Sequence, residues 1–321
     1  MKKVERLNKD DFTLSDDDYV KLTTMGQIQE IRYFSRANKK QTIQLLEDRK
    51  YLELSTGEIK DCKEKSKYRL ERINMLRGSY RKLRNLINAN VDVPDHCQWL
   101  TLTYKENMQD HHQLYTDFSN FHKRYKYYLQ KIGIQHCEYI AIPEPQGRGA
   151  WHFHIVYIYD RKAPFVSNEI LREIWKKGFV KINRLSNAQD VGRYIEAYLT
   201  DLPLDDMIRM FDTKDTTKVS EMSEYDTSEN IKIDSHTKKR YIKGARLLFY
   251  PAKFRIYRAS RGVRHPREEE MTYNNAKKKV NGSKKTYERT ICLIDSENDF
   301  ESIVHTECYL TDRHKGSEHI K

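Results

Sequence analysis

The spacing of hydrophobic positions changes character along the chain. Ile73, Leu76, Tyr80, Leu83 and Ile87 recur three and four residues apart among arginines and lysines, which predicts an amphipathic helix. Upstream, Tyr51-Leu52-Glu53-Leu54 and Glu58-Ile59-Lys60 flank Ser55-Thr56-Gly57, the signal of a short hairpin. The remaining early positions are polar and helix-compatible, so residues 1–92 are expected to form a mostly helical accessory layer with a solvated basic face.

From residue 93 to 205 the pattern alternates between strand and helix. Trp99-Leu100-Thr101-Leu102-Thr103-Tyr104 is rich in β-formers and alternates apolar with polar. Leu114, Phe118, Phe121, Tyr125 and Leu129 then keep helical spacing until Gly133. Strands follow near 137–144 and 151–158 around a glycine-rich turn, Pro145-Gln146-Gly147-Arg148-Gly149. A helix near 167–176, a strand near 179–183 and a helix from Ala188 to Leu202 complete the series. Strand, helix, strand, strand, helix, strand is the order of an α+β, ferredoxin-like (RRM-like) antiparallel sheet with flanking helices. Residues 206–240 contain no Gly or Pro but much Ser, Thr, Asp, Glu and Lys, which predicts a polar linker or insertion. Residues 241–321 regain apolar content and are expected to form a basic, DNA-contacting C-terminal extension.

Charge narrows the choice of partner. The chain carries 59 Lys+Arg against 47 Asp+Glu, a net +12, which favours a polyanion because each phosphate contact releases condensed counterions. Membrane surfaces and acidic proteins attract the same charge. At 38% hydrophobic and 11% aromatic, the chain has enough apolar material for a core, which argues against global disorder. Five cysteines without a CxxC pair argue against a zinc ribbon or a disulfide framework and fit reduced thiols. The N-terminus lacks a signal-peptide run and no stretch of about 18 apolar residues occurs, so a soluble, cytoplasmic protein without membrane association is expected.

The chemistry concentrates in Glu144-Pro145-Gln146-Gly147-Arg148-Gly149-Ala150-Trp151-His152-Phe153-His154. On a strand His152 and His154 share one face while Phe153 faces the other. A hairpin at the glycines returns Glu144 beside them, and two imidazoles with one carboxylate suit Mn²⁺ or Mg²⁺ with coordination positions left open. An HxH pair on a solvated sheet face is the plainer alternative. Further on, Tyr194 and Tyr198 are four residues apart and share a helix face, either as packing or as nucleophiles. Arg246, Lys253, Arg255, Arg258 and Arg261 interleave with Phe249, Tyr250, Phe254 and Tyr257, a composition suited to single-stranded DNA or to a solvated hairpin edge. There is no GxxxxGK[ST] loop, so no nucleotide cofactor is expected.

Taken in order, Trp99–Tyr104 (WLTLTY), His152-Phe153-His154 and Tyr194–Tyr198 (YIEAY) resemble HUH endonucleases of the rolling-circle replication initiator class, of the Gram-positive plasmid and filamentous-phage-like type. Leu86–Asn90, Glu144–Ala150 and Gly244–Gly262 add to the likeness. The resemblance implies that His152, His154 and Glu144 ligate a divalent metal and that Tyr194 or Tyr198 attacks one DNA strand. It implies a 5′-phosphotyrosine, a free 3′-hydroxyl primer and later rejoining. Arg148 and the tail cations would contact origin DNA, and a host helicase and DNA polymerase would unwind and extend it. Many members carry a lysine three residues after the tyrosine; here Ala197 and Asp201 stand there. An HUH transposase or a non-catalytic single-strand-binding module are the other readings these residues permit.

Overall fold

The computed structural model describes residues 5–36, 43–46, 50–54, 56–61, 73–146, 150–185, 192, 202–203, 231–233, 240–242, 250, 254–295 and 300–311. In chain order the described elements are β1 (Glu5–Asn8), β2 (Tyr19–Met25), β3 (Ile28–Phe34), β4 (Ile43–Leu45), β5 (Lys50–Glu53), β6 (Ile59–Asp61), α1 (Ile73–Asn88), β7 (Cys97–Thr103), α2 (His111–Lys131), β8 (Cys137–Pro145) and β9 (Trp151–Tyr159). They continue with α3 (Asn168–Trp175), β10 (Val180–Arg184), β11 (Leu202–Pro203), β12 (Ile231–Ile233), β13 (Arg240–Ile242), β14 (Arg258–Ala259), β15 (Arg267–Thr272), α4 (Tyr273–Lys279), β16 (Lys284–Asp295) and β17 (Phe300–Leu310). The fold is α+β with antiparallel sheets, and the chain divides into two compact units, residues 68–266 and residues 1–67 with 267–321.

The unit of residues 68–266 is organised by a five-stranded sheet in the order β10-β7-β9-β8-β14, every neighbouring pair antiparallel. Its helices begin and end where local chemistry dictates. The Asp110 carboxylate accepts from the His112 and Gln113 N–H groups at the start of α2, and Ser167 accepts from Ile170 N–H at the start of α3. Gly133 follows α2 at φ 85°, a left-handed conformation that costs glycine little. The stripe Leu114, Phe118, Phe121, Tyr125 and Leu129 is buried, with Phe118 packed on Phe153 and Tyr125 on Tyr157 at ring separations of 5.0 and 4.9 Å. Because side chains alternate along β9, α2 therefore covers the sheet face opposite His152 and His154. The predicted strands at 99–104, 137–144, 151–158 and 179–183 correspond to β7, β8, β9 and β10. The predicted helices at 73–87 and 167–176 correspond to α1 and α3.

The other unit differs from its sequence-based expectation. Residues 1–92 were expected to be mostly helical, yet β1, β2 and β3 are strands that join β15, β16 and β17 in a six-stranded sheet of order β1-β16-β17-β3-β2-β15. The C-terminal extension expected over 241–321 is thus partly a sheet component from Arg267 onward. Helix α4 lies on this sheet, where Ala276 and Val280 pack with Val20, Leu22, Ile31 and Tyr309. The hairpin expected at Ser55-Thr56-Gly57 is present as the antiparallel pair β5 and β6. Helix α1, grouped by sequence with the accessory layer, instead supplies Tyr80, Leu83, Leu86 and Ile87 to the hydrophobic core of residues 68–266. The linker expected at 206–240 falls largely outside the described residues; within it β12 pairs with β13. No helix among the described residues is long and apolar enough to cross a membrane.

Candidate metal centre and DNA interface

The register of the central strands assembles the site. Thr103 lies opposite His152 and Thr101 opposite His154 across β7 and β9, while Glu144 of β8 lies opposite His152 from the other side. Directly paired residues share a face, so Glu144, His152, His154, Thr101 and Thr103 converge. Glu144 Oε2 is 3.0 Å from His152 Nε2 and 2.6 Å from His154 Nε2. All three side chains are buried, with Glu144 at 1% and His154 at 0% exposure. His154 is fixed from behind: Thr101 Oγ1 is 3.2 Å from its Nδ1, and Trp99 stacks on its ring at 5.0 Å and 18°. The Thr101 contact turns Nε2 toward Glu144, the orientation that an outer-shell partner gives a ligating imidazole.

Burial by itself pushes the Glu144 carboxyl up, but the adjoining His152 and His154 rings hold it well below the ordinary carboxylate range. The carboxylate is thus ionised in a dry site. Although Nε2 of His152 is close to Glu144, both of its ring nitrogens are buried without an aligned hydrogen bond. The ligand atoms of the three residues lie within 4.8 Å of one another. Buried nitrogen lone pairs around one anionic oxygen form a donor set that suits a divalent cation.

The nucleophile candidates Tyr194 and Tyr198 lie outside the described residues. Gly192, two positions before Tyr194, is described and buried: its N–H donates to Asn88 Oδ1 at 2.8 Å. A methyl at Gly192 would lie 2.5 Å from the Arg84 carbonyl oxygen, so only glycine permits this approach to α1. Asn90 of the same Leu86–Asn90 segment donates to the Leu86 and Arg264 carbonyls and accepts from the Arg264 N–H.

Of the proposed DNA contacts, Arg148, Arg246 and Lys253 also lie outside the described residues. Arg255 and Arg261 are exposed, whereas the Arg258 guanidinium sits 3.5 Å from the Tyr115 ring centre. Two aromatics of that strip have a different role from the expected stacking on bases: Tyr250 and Phe254 are buried, and Tyr250 donates to the Pro143 carbonyl at 2.9 Å. Their rings pack around Trp151, because β14 continues the sheet beside β8 and brings the strip's apolar side onto the core.

Sequence reasoning missed a second Glu–His grouping, in the unit of residues 1–67 with 267–321. Glu307 is 2% exposed and accepts from the Tyr273 and Tyr309 hydroxyls at 3.1 and 2.8 Å. Lys277 and Lys285 lie 3.8 and 3.9 Å from it, and His305 Nε2 lies 3.6 Å away. Glu288, which completes the group, is paired with Lys285 at 2.6 Å. Ammonium groups and hydroxyls already surround this carboxylate, so it ties α4 to the sheet.

Comparison with known proteins bears on the first unit. The family of replication-associated proteins of the ORF2 type matches residues 97–202, which run from β7 to the start of β11 and contain Glu144, His152, His154, Tyr194 and Tyr198. This match supports a replication protein. No curated protein and no solved structure matches the chain.

Proposed function

We propose that the chain is a rolling-circle replication initiator of the HUH endonuclease class, which nicks one DNA strand at an origin through a tyrosine nucleophile. The observation that carries this reading is the convergence of Glu144, His152 and His154 on one buried sheet face inside the matched segment. The strand order β10-β7-β9-β8, with α2 and α3 as connections, supports a ferredoxin-like core. A cation held by Glu144, His152 and His154, Mn²⁺ or Mg²⁺, would supply Lewis-acid polarisation of the scissile phosphate.

The chain's own residues supply the rest. Thr101 and Trp99 hold His154 in orientation, and burial around the site keeps the donors dry. The phenolate oxygen of Tyr194 or Tyr198 attacks phosphorus, a phosphotyrosine ester forms, and the bond to the 3′ oxygen breaks. The phenol's proton goes to solvent and the departing 3′ oxygen takes one up, giving the primer hydroxyl. The ester conserves the energy of the broken linkage, so a later 3′-hydroxyl reverses the step without a nucleotide cofactor. Unwinding and extension fall to a helicase and a polymerase of the host.

The test is to incubate the protein with Mn²⁺ and labelled single-stranded oligonucleotides tiling its own replicon. A covalent protein–DNA adduct is expected, lost in the Tyr194→Phe/Tyr198→Phe double variant and after chelation. DNA binding without an adduct on any tile would leave only a binding module.

A further inference from the structure

The rows of side chains that cross the sheet at the metal centre do not stop at β7. Lys181 of β10 lies opposite Thr101, which lies opposite His154. One residue earlier in the same register Phe179 lies opposite Thr103, and the Thr103 N–H donates to the Phe179 carbonyl at 2.8 Å. Phe179 and Lys181 therefore occupy the imidazole face, in the rows of His152 and His154 respectively. Val180 and Ile182 face the other way and pack on the core. Two interstrand spacings separate the Phe179 backbone from that of His152, about 10 Å.

Phe179 is 67% exposed, unusual for a phenylalanine on the rim of a polar site. Its exposure does not come from a slack loop. The Lys105 N–H donates to the Lys177 carbonyl at 2.9 Å, and Trp175 Nε1 donates to the Thr103 carbonyl at 3.0 Å. A methyl at Gly178 would lie 2.3 Å from that Thr103 oxygen, so the loop presses onto the end of β7. Lys176 is held in a left-handed conformation at φ 63°, which a lysine adopts only when its surroundings fix it. The structure thus presents a rigidly mounted aromatic face, with exposed Lys105, Lys176 and Lys181 around it and β10 as the terminal strand of the sheet.

We infer that Phe179 is a stacking platform for a base flanking the scissile phosphate, with Lys181 contacting the adjacent backbone phosphate; this rests on the single-stranded DNA substrate proposed above. An aromatic face accepts any base, so the contact orients the strand across the imidazole row without specifying its sequence. A duplex base is stacked on both sides and cannot use it, which makes the platform selective for single strands.

The test measures anisotropy of fluorescein-labelled dT20 with the full chain in EDTA, so that binding is read without cleavage. Phe179→Ala is expected to weaken binding by roughly 5- to 100-fold, the range for losing one base–aromatic stack. Phe179→Tyr should bind within about twofold of wild type, and Lys181→Gln should flatten the log affinity–log salt slope by about 0.7. Tyr127 is an exposed aromatic on α2, across the sheet, and Tyr127→Ala should leave affinity unchanged. Unchanged affinity in Phe179→Ala, equal loss in Tyr127→Ala, or no binding by wild type would overturn the inference. Binding through Phe179 with no covalent adduct in Mn²⁺ would remove the nuclease reading alone. An adduct at wild-type yield from Phe179→Ala with unaltered affinity would remove the platform alone.

Discussion

The two units each bury a glutamate beside a histidine on a sheet, and the company each glutamate keeps separates a candidate reaction centre from a structural tie. Glu307 faces two lysines and receives two tyrosine hydroxyls, so its charge and hydrogen-bonding capacity are met by the fold. Glu144 faces two imidazole Nε2 atoms, groups that can offer lone pairs in place of protons. Burial raises both carboxyls and the neighbours lower them, yet the neighbours of Glu144 are metal-ligand types and those of Glu307 are not. A low carboxylate pKa is common to both, so it does not identify a site; the donor set does.

Four outcomes would break or sharpen that contrast. The largest concerns cleavage. A cation's Lewis-acid contribution of several kcal/mol implies that His152→Ala/His154→Ala lowers adduct formation by about 10³-fold in an Mn²⁺-supported assay. Glu307→Ala should leave the chemistry of the adduct-forming unit in place but destabilise its own sheet by roughly 3 kcal/mol, because the flanking lysines lose their carboxylate. All three tryptophans, Trp99, Trp151 and Trp175, lie in residues 68–266, so their fluorescence follows that unit while far-UV circular dichroism follows both. An Mn²⁺-induced rise in melting temperature should accordingly appear in tryptophan emission and vanish in His152→Ala/His154→Ala.

A comparable but pH-dependent effect belongs to Glu307, held down to about 2 by His305, Tyr309, Lys277 and Tyr273 against the upward push of burial. A carboxyl depressed in the folded state stabilises above its ordinary pKa and loses that stability as pH falls toward the folded value. The Glu307 unit should therefore lose roughly 2–3 kcal/mol between about pH 5 and pH 2, a loss absent in Glu307→Gln when the two are compared by chemical denaturation. The smallest effect is that of Thr101→Val, which frees the His154 ring and should weaken Mn²⁺ affinity about 10-fold by calorimetry without unfolding the sheet.

Legibility from sequence followed how local the determinants are. In β7 to β10, apolar runs alternate with turn residues, α2 carries an uninterrupted stripe and two histidines straddle Phe153. Periodicity and punctuation alone therefore locate the elements and bring Glu144, His152 and His154 together. The six-stranded sheet was missed because β2 and β3 are sandwiched by residues distant in sequence: β3 pairs with β17, and β2 with β15. Thr23 and Glu30 are buried although polar, so the strands lack a clean apolar–polar alternation. A readable clue was present in Gly26, at φ 58° in the two-residue loop Gly26-Gln27 between β2 and β3. Phe179 and Lys181 were invisible for a different reason, since only the pairing of β10 with β7 relates them to the histidines. The buried Tyr250 and Phe254 show that aromatic–cation composition does not reveal which faces point outward.

Counting bound Mn²⁺ by electron paramagnetic resonance tests the contrast most directly. The wild-type chain and Glu307→Ala should each hold one tightly bound ion, and His152→Ala/His154→Ala should hold none while keeping its secondary structure. An ion retained by the histidine variant, or lost from a folded Glu307→Ala, would contradict the assignment of the metal centre to Glu144, His152 and His154.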